Sequence, residues 1–265
     1  MISQEHLTTL ASTVTERSEL WLDVIARTEA RRVAEIGVFR GKFAERILDD
    51  CPGITDYYMV DPWRHLEDWN KPANRTGDEF DEIFEEAMRR TAQHEARRVV
   101  LRGRTSEVID KIPDSHLDFV YIDGDHTLRG ITIDLIKVWD KVRPGGLIGG
   151  DDFKPNIWHH GQGFEPTMVF PFAVYFAEAA GCPIYALPSR QFLIEKAPES
   201  GFSFTDLTDS YPPTDVLRQL KKAGNRGGPG GKRGGPGGKR GGPGGKQGGP
   251  GGKRGRLSGK RARQA

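Results

Sequence analysis

Residues 119–127 read F-V-Y-I-D-G-D-H-T, four apolar or aromatic residues followed by two aspartates and a histidine gathered about one glycine. An apolar run of this length, closed by a turn signal, is the pattern of a strand covered on both faces, as in a parallel sheet enclosed by helices. Such a strand delivers its chemistry at its C-terminal end, where Asp123, Asp125 and His126 stand together.

Outward from that strand, strands and helices alternate. Arg32 to Ile36 is a short strand, followed by a glycine turn and a helix over Phe43 to Asp50. Asp56 to Val60 is a second strand, ending in Asp61. Phe80, Ile83, Phe84, Ala87 and Met88 keep helical spacing within a helix over about 78–95. A third strand covers Arg98 to Leu101, a helix Ser106 to Ile112, and the fourth strand Leu117 to Ile122. Steps of three and four through Leu128, Ile131, Leu135, Val138 and Val142 mark the next helix. Pro144-Gly145-Gly146 stops it before a fifth strand, Leu147 to Gly150. Met168 to Ala180 reads as a helix, and Pro183 to Leu187 with Gln191 to Glu195 as a closing pair of strands. The N-terminal apolar positions Leu7, Leu10, Val14, Leu20, Val24 and Ile25 predict one or two helices lying over the sheet. Repeated strand-helix-strand units force parallel pairing, so all strand C-termini share one edge, and ligands bind outside that edge.

With 265 residues, 36% hydrophobic and 29% charged, the chain has material for one α/β core. It shows neither a cationic leader nor the ~20 consecutive apolar residues that span a bilayer, so a soluble, cytoplasmic protein without a membrane partner is expected. Cys51 and Cys182 lie far apart and read as reduced, packed thiols. The net charge of +2 conceals a division: residues 221–265 hold seven Lys, seven Arg and no acid, leaving −12 on the first 220. That tail repeats G-G-P-G-G-K-R from Gly227, Gly234 and Gly241 (the last ending K-Q) and again from Gly248, and it offers nothing apolar to bury between Gly224 and Arg256. It reads as disordered, a coil of ~40 residues spanning roughly 35 Å. It is either an arm for non-specific contact with nucleic acid or another polyanion, or a solubilising tail that folds back on the acidic body. Its repeats carry no aromatic on which a base could stack. The expected domain plan is a helical cap over 1–31, an α/β domain over 32–220 and the basic tail over 221–265.

The first strand exits as V-A-E-I-G-V-F-R-G, with Glu35, Gly37 and Gly41. Glycines there let a ligand approach the backbone, and the carboxylate can receive an amino group. The spacing is not the G-x-G-x-x-G of a dinucleotide site, because Val38 and Phe39 fill the loop. Alone, E-x-G-x-x-x-G also describes a tight β-α turn; joined to Asp61, placed to accept a ribose diol, it reads as a cofactor pocket. At the fifth strand, Gly149-Gly150-Asp151-Asp152-Phe153 sets two carboxylates beside Asp123. A divalent cation with oxygen ligands, Mg²⁺ by donor type, would relieve their repulsion. Asp152 could equally cap a turn, and Asp125 the helix near Leu128. His126, with an ordinary pKa near ~6.5, suits a general base; the alternatives are Asp123 as base, or a histidine that orients the loop or touches the cofactor. His159 and His160, in I-W-H-H-G-Q-G-F, belong to a loop overhanging the site. Trp63, Trp69 and Trp158 form either a substrate wall or scaffold.

Across Arg32 to Lys196 the chain resembles the class I S-adenosylmethionine-dependent methyltransferases. V-A-E-I-G-V-F-R-G is similar to their first motif and Y-M-V-D-P-W to their ribose-binding strand. L-D-F-V-Y-I-D-G-D-H-T with V-R-P-G-G-L-I-G-G-D-D-F is similar to the fourth and fifth strands of the metal-assisted small-molecule O-methyltransferases of catechol and macrolide-sugar type. The resemblance implies a three-layer, Rossmann-like fold with a seven-stranded, mostly parallel sheet ending in an antiparallel hairpin. It implies S-adenosylmethionine as cofactor, with Glu35, Gly37 and Gly41 at its methionine and ribose part, Asp61 at the ribose hydroxyls, Ser106 at the adenine and Asp123 bordering it. It further implies Asp123, Asp151 and Asp152 as ligands of Mg²⁺, and His126, where the catechol type carries a lysine, or Asp123 as the base. The acceptor would be a hydroxyl of a small molecule such as a sugar or catechol. The catechol type has an amide where Asp152 stands, so the added charge follows the sugar branch. The competing readings are a metal-independent small-molecule methyltransferase, and a nucleic-acid-associated enzyme or binding protein that uses the tail. Self-association is left open.

Overall fold

A computed structural model describes residues 2–211 and 218–221, so the expected basic tail lies outside the described residues beyond Lys221. Two helices, α1 (Gln4–Thr13) and α2 (Arg17–Arg27), precede the first strand. The α/β succession is then β1 (Arg32–Ile36), α3 (Lys42–Asp50), β2 (Asp56–Asp61), α4 (Gly77–Arg90), β3 (Arg98–Arg102), α5 (Thr105–Val108) and β4 (Leu117–Ile122). It continues with α6 (Leu128–Trp139), β5 (Val142–Gly150), α7 (Val169–Ala180), β6 (Pro183–Leu187), β7 (Gln191–Glu195) and β8 (Ser203–Asp206). They form one sheet in the order β3-β2-β1-β4-β5-β7-β6-β8. β7 alone runs against its neighbours β5 and β6, and β8 pairs parallel with β6. The expected α/β architecture is present, and β8 is an eighth strand beyond the seven expected.

β4 shows why its sequence is apolar without interruption. Phe119 and Tyr121 enter the core on one side of the sheet, with α1 to α4; Leu117, Val120 and Ile122 enter the other, with α5, α6 and α7. A central strand covered on both faces has no solvent side to alternate toward.

β5 begins five residues earlier than expected. The Pro144-Gly145-Gly146 stretch is absorbed as an irregularity between the Leu117–Val142 and Phe119–Leu147 pairs. Its backbone is satisfied across the sheet, Gly145 N–H donating to the Lys196 carbonyl and Lys196 N–H to that of Gly146. α4 stops at Arg90, with a 3-10 turn over Ala92–His94 replacing the expected continuation. α5 is a single turn followed by a 3-10 turn over Ile109–Lys111.

The glycines of β5 are packing residues. Trp21 of α2 lies on the sheet, edge to Tyr121 and tilted over Phe119 at ring-centre distances of 5.5 and 5.3 Å. A Cβ on Gly149 would stand 2.3 Å from its ring; a Cβ on Gly150 would stand 2.5 Å from Phe192. The Trp21 indole N–H donates to the Gln191 side-chain oxygen at 2.8 Å, fixing α2 against β7. Gly149→Ala should therefore lift α2 from the sheet and destabilise the protein by about 1–3 kcal/mol. Denaturant unfolding checks this, and a midpoint unchanged from wild type would refute the packing role.

Candidate active site at the strand C-termini

The loops leaving β1, β2 and β4 are held together by backbone contact. Gly37 has φ +90°, and a Cβ on it would stand 2.2 Å from the Asp123 carbonyl oxygen, so only glycine lets the β1 exit lie against the β4 exit. Gly41, at φ +73°, does the same for α3 against Ala87 of α4. Asp61 clamps this turn: its Oδ2 accepts the Val38 and Phe39 N–H groups at 3.0 and 2.9 Å, and its Oδ1 accepts that of Trp63 at 2.7 Å. Of the roughly four acceptor positions on a carboxylate, three are taken. Glu35 is buried and accepts the Tyr57 hydroxyl at 2.7 Å. Burial, outweighing that hydrogen bond, pushes its carboxyl up to about 8.

A cavity of about 710 Å³ runs along this edge, within the ~300–1,000 Å³ usual for small-molecule sites. Glu35, Gly37, Asp61, Ser106, Asp123, His126 and Asp152 border it; Gly41 and Asp151 do not. His160 and Trp69 border it as well. Trp63 is buried, its indole N–H on the Phe39 carbonyl at 2.8 Å, and is scaffold; Trp158 donates to the Gln219 carbonyl, away from the cavity. Lys71, which borders the cavity, ties two loops together: its ammonium donates to the Glu165 carbonyl at 2.8 Å and to the Thr167 hydroxyl at 3.1 Å.

The carboxylates expected to share one ion divide into two groups. Arg17 of α2 donates from one guanidinium nitrogen to Asp123 Oδ2, at 2.9 Å, and to Asp151 Oδ2. Asp151 also accepts the Asp152 N–H at 2.7 Å and the Gln191 amide at 2.6 Å. Burial and the neighbouring Asp123 raise its pKa against the pull of Arg17. Asp152, at φ +55°, turns away. Its Oδ2 lies 2.9 Å from His126 Nδ1, 3.3 Å from His159 Nε2 and 3.5 Å from His160 Nε2. Among the described residues, the metal-type group with ligand atoms within 4.8 Å of one another is Asp152, His159 and His160. The expected Asp123–Asp151–Asp152 set is therefore not brought together.

His126 stands between Asp152 and Asp123, its Nε2 3.5 Å from Asp123 Oδ1. Burial pulls its pKa down, but the two carboxylates outweigh it and raise the imidazole to about 10. Burial lowers His159 to about 4. Asp125 is a turn residue, its Oδ1 accepting the Thr127 N–H and the Trp69 indole N–H, both at 2.9 Å. The cap of α6 is Thr127, which accepts the Gly130 N–H at 3.1 Å.

Among the cavity residues that escaped sequence reading are Arg17, Lys71 and Asp134. Asp134 left a signal, an acid on the apolar stripe of Ile131, Leu135 and Val138; burial raises it to about 7. Arg17 lies 106 residues from Asp123 and left none.

Because the Glu35 carboxyl holds its proton to about 8 when folded but to 4.5 when solvated, the folded state binds more protons between those values. Its contribution to stability thus falls as pH rises through that window, by at most on the order of 5 kcal/mol. Glu35→Gln should leave the melting temperature near wild type at pH 4.5 and raise it above wild type at pH 8.5. Parallel melting profiles across that range would contradict the burial argument.

The family described as a methyltransferase domain matches residues 34–153. No curated protein matches the sequence. Among solved structures, one from Staphylococcus aureus assigned as a caffeoyl-CoA O-methyltransferase is 13% identical with a TM-score of 0.51, covering 74% of this chain and 93% of that one. An O-methyltransferase from Bacillus cereus in complex with SAH is 18% identical (74% and 81% covered, TM-score 0.46). The O-methyltransferase TomG from Streptomyces achromogenes, in complex with SAM, is 16% identical (73% and 90% covered, TM-score 0.46). At these identities the likeness concerns the fold alone. Residues 34–153 thus match the family described as a methyltransferase domain, and the chain shares the Rossmann-like α/β fold of the Staphylococcus aureus structure.

Proposed function

We propose that the protein transfers a methyl group from S-adenosylmethionine to a hydroxyl of a small molecule. The observation that carries this reading is one cavity bordered by Glu35, Gly37 and Asp61 together with Asp123, His126 and Asp152. S-adenosylmethionine supplies, when bound, an electrophilic methyl on a sulfonium. Glu35 receives its ammonium, and the one acceptor position left on Asp61 takes a ribose hydroxyl. Ser106, which borders the same cavity, is assigned to the adenine. The paired loops at Lys71 and Glu165 keep water from the acceptor. The acceptor's hydroxyl proton passes to the Asp123 carboxylate, beside the His126 imidazolium at the cavity wall.

A cation on Asp123, Asp151 and Asp152 does not fit these residues as they stand, because Arg17 already neutralises two of them and Asp152 faces elsewhere. No step is assigned to it. The basic repeat is proposed as an arm for polyanions, dispensable for small-molecule transfer.

Calorimetry with S-adenosylhomocysteine and radiolabelled methyl transfer to a panel of sugars and catechols test the reading. Asp123→Asn should cut kcat by ~10²–10⁴-fold with little change in donor affinity. Glu35→Gln should instead weaken donor binding. Full turnover in the Asp123 variant, or no S-adenosylhomocysteine binding by wild type, would defeat it. A chain ending at Leu220 should keep transfer and lose salt-sensitive binding of single-stranded RNA.

A further inference from the structure

The loop after β5 gathers donors that methyl transfer leaves unused. Gly161 N–H donates to the Trp158 carbonyl at 2.9 Å, closing a turn with His159 and His160 at its corners. The two imidazoles lie close together, ring centres 3.8 Å apart and planes tilted by 44°. Both aim Nε2 at one atom, Asp152 Oδ2, at 3.3 and 3.5 Å. These separations are long for hydrogen bonds, whose N···O distance is ~2.7–3.2 Å. They match the edge of a coordination shell, because two ligands each ~2.0–2.1 Å from one tetrahedral ion stand ~3.3 Å apart. An independent observation points the same way: His159 Nδ1 and Nε2 are both buried with no hydrogen-bond partner. Interior polar atoms are rarely left so, and an unpaired ring nitrogen is a ready electron-pair donor.

We infer that Asp152, His159 and His160 bind a first-row divalent transition ion of the Zn²⁺ class. Two imidazoles and one carboxylate favour such an ion over Mg²⁺, which takes oxygen ligands. His126 completes the outer layer: its Nδ1–H, 2.9 Å from Asp152 Oδ2, orients the carboxylate. Lys154 approaches the other oxygen, Oδ1, at 4.0 Å and leaves Oδ2 to the ion. Asp152 and His160 border the cavity, so the remaining coordination position opens toward it. The site shares Asp152 with the oxygen-only set expected from the sequence, but differs from it in the other ligands and in metal class. It goes beyond the methyl-transfer reading and does not require it.

The test uses the full, tag-free chain after chelator treatment. Zn²⁺, Co²⁺ and Mg²⁺ are titrated by calorimetry, and Co²⁺ binding is also followed by visible absorption. One Zn²⁺ should bind per chain, Mg²⁺ should not compete for it, and Co²⁺ should give the intense visible band of a tetrahedral N/O site. His159→Ala, His160→Ala and Asp152→Asn should each weaken Zn²⁺ by at least ~10–100-fold, the loss that follows removal of even an outer-layer partner. Asp151→Asn should leave Zn²⁺ affinity within a few-fold. Should the variants fold poorly, the wild-type Co²⁺ spectrum still decides: a weak octahedral spectrum, or Mg²⁺ displacing Zn²⁺, overturns the inference. So does unchanged Zn²⁺ affinity in the His159→Ala/His160→Ala protein. S-adenosylhomocysteine binding, measured on the same samples, reports on the methyltransferase reading separately.

Discussion

Two carboxylates at the ends of neighbouring parallel strands must be neutralised, and the guanidinium of Arg17 does so for Asp123 and Asp151. Two such charges ~5 Å apart repel by roughly 3 kcal/mol even at an effective dielectric of about 20. The cation comes from α2, a helix outside the alternating α/β succession. Its placement depends in turn on Trp21, which lies over the glycine of β5 and reaches Gln191; Gln191 then donates to Asp151. The helix that covers the sheet thereby sets the charge of the site.

The same economy of backbone space explains the glycines. Gly37, Gly149 and Gly150 sit where a strand exit, an indole and a phenyl ring come closer than a Cβ allows. The cavity beside them has a polar wall made of carboxylates with different duties. Glu35 is buried, and that burial pushes its carboxyl up to about 8. Asp61 spends most of its acceptor capacity on three backbone N–H groups and so shapes the turn that would cradle a ligand.

Asp151 and Asp152 are adjacent in sequence but serve different surroundings. Successive side chains of an extended strand point to opposite faces, and Asp152 leaves the strand in the left-handed region, which swings its carboxylate to three imidazoles. One end of the cavity wall thus carries an organic cation on two carboxylates, and the next step along carries nitrogen donors on a third.

The architecture was legible in sequence because it follows from local pattern. The apolar run of β4 required two covered faces, the crossovers required parallel strands, and β6 and β7 were read with their observed limits. That Asp123, His126 and Asp152 border one cavity followed from the rule that parallel strands end at one edge. The partner of each charge was not legible, because adjacency in sequence does not specify direction in space. Arg17 reaches Asp123 across 106 residues, and Asp152 turns by a single backbone dihedral toward histidines seven and eight residues on. Periodicity and motif spacing determine which groups arrive at the edge; packing of α2 on the sheet and the φ of one residue decide which of them touch.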